Sequence, residues 1–96
     1  MNSRIEKMKY CITEELDGAK NYAEKYIYYA NSKPEWAKMY SEMAKQELHH
    51  ADMLHKIYQE AFDDMRWVSD EDKEMWEKCV DHKAEVTALV ELMLSK

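Results

Sequence analysis

The stretch Trp36-Ala-Lys-Met-Tyr40-Ser-Glu-Met43-Ala-Lys-Gln-Glu47-Leu-His-His50-Ala-Asp-Met-Leu54-His-Lys-Ile57 carries the pattern of a long packed helix. Trp36, Met43, His50 and Ile57 recur at one seven-residue step, and Tyr40, Glu47, Leu54 and Ala61 at the other. Two such series, offset by three or four residues, form the seam of a helix that packs against other helices. Six of the eight positions are apolar or aromatic; the other two, Glu47 and His50, make a Glu-x-x-His step. A carboxylate on a buried seam costs several kcal/mol or more unless something compensates it. A metal ion is one such partner.

Two further helices flank this one. The first is expected over about 3–31, with Ile5, Ile12, Ala19 and Tyr26 in one series and Met8, Glu15, Tyr22 and Tyr29 in the other. Asn31-Ser-Lys-Pro34-Glu35 interrupts it. Pro34 suits the first turn of a helix, and Ser32 with Glu35 reads as a capping box, so the second helix runs over about 34–63. A break this short makes the first two helices an antiparallel hairpin. Ser69 and Asp72 repeat the capping spacing after a second break and open a third helix over about 70–95. Its apolar face is Met75, Cys79, Val86, Leu89 and Met93, widened by Trp76, Val80, Val90 and Leu94.

The chain of 96 residues fits one small domain over 1–96. Gly18 and Pro34 are its sole glycine and proline, and helix formers dominate, so the fold class is all-α. A hairpin with one extra helix buries little core alone. Seams on all three helices therefore predict self-association into a homodimer, whose core is a four-helix bundle, or into a higher homo-oligomer. The net charge of −6 leaves no basic stripe for duplex nucleic acid. No apolar run approaches the roughly 18 residues of a membrane span, and no signal core follows the first charges; a soluble, cytoplasmic protein is expected. Cys11 and Cys79 match no metal or redox spacing and are expected to be small buried residues in a reducing compartment, or a disulfide between helices if the chain is secreted.

Glu15 is the second polar residue on a seam, one heptad from both Met8 and Tyr22, while Glu14 points toward solvent. Nineteen residues separate Glu15 from Pro34 and thirteen separate Pro34 from Glu47. At about 1.5 Å per residue the two carboxylates come level to within about two turns, which permits Glu15, Glu47 and His50 to converge. Two carboxylates and an imidazole suit iron or manganese, with zinc as a further option. Two hairpins related by a twofold would supply four carboxylates and two imidazoles, the ligand set of ferritin-like di-metal sites. On an exposed face the same step is an ordinary solvated pair. Tyr22 is either a core tyrosine or a hydrogen-bonding neighbour of a ligating carboxylate. His82 falls on the apolar face of the third helix and is expected in the core or an interface. His49 and His55 fall off the seam and are expected on the surface.

The residues from Ile12 to Ile57 resemble half of a ferritin-like protein of the rubrerythrin group. The likeness rests on Glu15-Leu-Asp-Gly-Ala-Lys-Asn-Tyr22, Ala30, Pro34, Tyr40, Ala44, Glu47-Leu-His-His50 and Leu54. It implies Glu15, Glu47 and His50 as metal ligands and Tyr22 beside them. It covers about half the chain. A rubrerythrin-type domain repeats the motif in its second half, whereas the third helix here offers only His82 and Glu85. There is also no Cys-x-x-Cys module for electron delivery. The pattern is closer to encapsulated ferritin, a half-length relative that builds its di-iron site across two subunits. Glu91-Leu-Met-Leu-Ser-Lys96 still reads as helix, so encapsulation by such a relative's shell tail is not expected.

Two functional readings follow. One is a di-iron carboxylate protein with a site shared across a homodimer, acting as a ferroxidase or reducing an oxidant. The other is a non-enzymatic interaction or structural module that keeps the half-bundle and binds a protein partner through the third helix, with Trp67 and Trp76. Metal storage without catalysis is a weaker third.

Overall fold

Pro34 decides where the hairpin turns. A computed structural model describes residues 3–96. It contains α1 (Ser3–Tyr29), α2 (Pro34–Asp63) and α3 (Asp70–Leu94), with no strand among the described residues. The proline ring disfavours the helical region for the residue before it. Lys33 is accordingly non-helical (φ −140°, ψ 71°) and takes the cap position of α2. The expected Ser32–Glu35 capping box does not form: Ser32 lies one residue outside the cap, and no side chain caps α2. The turn is held instead by backbone bonds, Lys33 N–H to the Tyr29 carbonyl at 2.8 Å and Ala37 N–H to the Lys33 carbonyl at 3.0 Å. At the second break the expectation and the structure agree. The Ser69 hydroxyl accepts a hydrogen bond from the Asp72 N–H at 3.1 Å. Asp70, Glu71 and Asp72 place negative charge in the first turn of α3, where the helix dipole favours it.

α1 is the central element. Ile5, Met8, Ile12, Leu16, Ala19 and Ala23 are buried along it. α2 returns antiparallel, presenting Ala37, Ala44 and Ala51; side chains this small let two helix axes come close. α3 lies back on its own hairpin, chiefly along α1. Trp76, Cys79 and Val90 complete the core. Three bonds fix that docking. Trp76 Nε1–H donates to Gln59 Oε1 at 2.9 Å. Lys83 Nζ pairs with Asp52 at 2.7 Å. The Tyr26 hydroxyl donates to the Lys96 carbonyl at 2.8 Å. The result is a rod of 53 × 18 × 17 Å.

The seam of α2 differs from the expected one by one residue. The series Trp36, Met43, His50 and Ile57 is exposed throughout, and Tyr40, Glu47, Leu54 and Ala61 are half-buried along the border with α1. The face turned inward is Ala37, Ala44 and Ala51, one residue on from the first series and so rotated by about 100°. Bulky side chains dominated the periodic signal, while the fully buried positions are three alanines, with Leu48, Leu54, Tyr58 and Phe62 packed half-buried against the core beside them. On α3, Leu89 stays exposed. His82, expected in the core or an interface, is exposed as well, because the docked face turns through Trp76, Cys79 and Val90. Cys11 and Cys79 are free thiols, the first half-buried and the second buried. Among the described residues no helix is long and apolar enough to cross a membrane.

Candidate metal centre

The hairpin brings Glu15, Glu47 and His50 together. Each offers one ligand atom, and the three atoms lie within 4.8 Å of one another. The two α2 residues share a face because a helix carries side chains three apart on one side. Glu15 meets them from α1, its Oε2 lying 3.4 Å from His50 Nδ1. The side chains of His50 and Glu15 are 52% and 27% exposed, so the cluster sits at the border of the chain rather than inside it.

The two carboxylates do not tolerate each other as anions. Glu47 is pushed up from the ordinary 4.5 to about 7, first by its hydrogen bond to Glu15, then by burial and by Glu15's charge, with His50 pulling the other way. Below about pH 7 a proton therefore sits between them. A cation would relieve the same repulsion without it. The donor set fits a hard or borderline metal ion, and one side of the cluster is open for further ligands.

The remaining candidates separate clearly. Tyr22 is half-buried, and its ring stacks on Tyr40 at 6.1 Å. Tyr40 stacks in turn on Tyr29 at 5.8 Å, and Tyr29 meets Trp36 edge-on at 5.3 Å. These four rings zip the hairpin together between the cluster and the turn. His49 is exposed, as expected. His55 is not a plain surface residue: it is half-buried edge-on to Trp76 at 5.9 Å. Burial and the nearby Lys83 hold its imidazole below the usual range, against the pull of Asp52. Glu14 is exposed and accepts a hydrogen bond from Tyr10 at 2.8 Å. A groove of about 380 Å³ lined by Lys45, His49, Asp52 and Glu91 opens between α2 and the end of α3. It lies on the other flank of α2 and shares no residue with the cluster.

The sequence profile described as Rubrerythrin matches residues 6–92, nearly the whole chain. The chain belongs to the rubrerythrin family. Family membership makes the fold ferritin-like and points to a di-iron carboxylate protein, and the match extends through α3, well beyond the half-chain that carried the resemblance. No curated protein and no solved structure matches the chain. Within a rubrerythrin family member, Gly18 is the neighbour that sequence reasoning passed over. It lies one turn along α1 from Glu15 and directly under Glu47, where an added Cβ would come within 3.2 Å of Oε2. Its signal was its solitude: the sole glycine of the chain, in the middle of a helix and three residues from a seam glutamate.

Proposed function

We propose that two copies of this chain join along the open flank of α2 and complete a di-iron centre from Glu15, Glu47 and His50 of each. The observation that carries this reading is the convergence of those three side chains on an open border. One hairpin supplies three ligands; a twofold copy supplies the four carboxylates and two imidazoles of a ferritin-like centre. The surface around the cluster supports it. Trp36, Met43 and Ile57 are 48%, 37% and 58% exposed and stand at heptad steps from His50. An apolar stripe of this length on one helix marks a docking face.

Bound iron would supply open coordination positions and reducing equivalents for oxygen or peroxide. The protein's part is to hold and release charge. Below about pH 7 Glu47 holds a proton against Glu15 in the metal-free chain and gives it up to solvent when a cation takes its place. Glu15, Glu47 and His50 would hold the metal, with two carboxylates to balance its charge and one imidazole from each copy. The stacked rings of Tyr22, Tyr40 and Tyr29 stiffen the hairpin beside the site. The proposed activity is ferroxidation or iron-dependent reduction of an oxidant. The non-enzymatic alternative worked through α3; Trp76 is unavailable for it, being buried in its own chain, although Trp67 is exposed.

Metal analysis of protein grown with iron should find about two ions per dimer, and solution mass should depend on iron, since binding and association are linked. Protein that stays metal-free after both iron and manganese supply would sink the proposal. Activity is then read as aerobic Fe(II) oxidation above the protein-free rate.

A further inference from the structure

We propose that Gly18 is a positioning residue for the metal centre: the absence of a side chain there is what lets the Glu47 carboxylate lie down against α1 and meet Glu15. The inference rests on Glu15, Glu47 and His50 being the ligands.

A glycine in a helix interior weakens the helix relative to alanine, so one that sits there calls for a reason. Backbone freedom is not the reason, because no glycine of the chain has a positive φ. The reason lies across the interface. A Cβ on Gly18 would stand 3.2 Å from Glu47 Oε2, 3.4 Å from its Cδ and 3.6 Å from its Cγ. All three of these nearest atoms belong to one carboxylate arm, so Gly18 is the seat of that arm.

Fold and site place different demands on this contact. For the fold, an added methyl is easy to absorb: the crowded atoms are the far end of a flexible side chain, which swings aside by a few tenths of an ångström. For a ligand set the margin is narrow: a shift of a few tenths uses up most of the about 0.5 Å within which such a centre holds its geometry, and a larger side chain exceeds it. Glu47 displaced outward also leaves its place beside Glu15 and His50. The two demands make opposite predictions for a single substitution.

Gly18→Ala is the test, with Mn(II) as a redox-silent probe titrated by EPR and the metal-free melting temperature measured alongside. The expected result is a higher melting temperature, by about 4 °C from improved helix propensity, together with metal binding weakened about 10-fold or more. Gly18→Leu should weaken binding further. Wild-type affinity in Gly18→Ala overturns the inference. So does a lowered melting temperature together with weakened binding, because packing alone would then explain the glycine. Wild-type protein that binds neither Mn(II) nor Fe(II) overturns the proposed centre itself, a result visible before any variant is made.

Discussion

The two flanks of α2 are built from neighbouring residues and meet opposite fates. Ala37, Ala44 and Ala51 are buried, the last two in clusters with residues of α1 and α3. One residue earlier at each step, Trp36, Met43 and His50 face outward. Between them runs the half-buried series of Tyr40, Glu47, Leu54 and Ala61. Burial therefore grades around the helix, and the candidate ligands of α2 fall on its middle and open steps. The small flank binds the chain to itself through close backbone approach. The bulky flank keeps its apolar area for something else. A ligand cluster on that border is accessible to a second copy in a way that a cluster on the alanine flank never could be.

Substitutions on the two flanks should separate these roles. The largest effect is expected from Glu47→Ala, which should remove bound metal completely while the metal-free protein gains stability, since a half-buried carboxylate is lost; metal analysis and thermal melts read the two halves. A metal-free variant that melts lower would show that protein partners hold Glu47. Next, Met43→Lys with Ile57→Lys should weaken the proposed dimer by about 30-fold or more and leave monomer stability within about 0.5 kcal/mol. Unchanged mass in sedimentation would put the interface elsewhere. On the closed flank, Ala44→Leu should cost about 1–3 kcal/mol by overpacking, and Met43→Leu beside it almost nothing; equal melting temperatures would erase the distinction between the flanks. Ser69→Ala, remote from both, should cost about 1 kcal/mol through the lost cap of α3.

The last prediction concerns pH dependence. Glu47 has a higher pKa in the folded chain than the ordinary 4.5, so the folded state holds the extra proton between 4.5 and about 7. Its contribution is fully present below that window and is lost as pH rises through it. Metal-free wild type should therefore melt progressively lower from pH 4.5 to 7, and Glu47→Gln should flatten that slope. Saturation with metal should flatten it too.

Much of this was readable in the chain. The helices fall within two residues of their expected limits because Pro34 and the Ser69–Asp72 cap act over three or four residues. The seam of α1 was legible through Ile5, Met8 and Ile12, whose large side chains mark a face. The inward face of α2 was not, because alanine is scarcely more apolar than its surroundings and its contribution lies in what it leaves out. Leu16 and Ala23 were missed on α1 for a related reason: α3 widens the buried face beyond a two-helix seam. His55 shows the same effect, its environment being made by Trp76, which is distant in sequence.

The sequence by itself determined three helices, two breaks, and the placing of Glu47 and His50 on one side of α2, because helical periodicity is enforced by backbone bonds four residues apart. Tertiary structure alone decided that Glu15 comes level with them, that α3 closes the alanine flank and leaves the other open, and that Gly18 clears a seat for a carboxylate. Those outcomes depend on how two long helices slide and rotate against each other. Many weak contacts summed along their length set that register, and no local pattern encodes the sum.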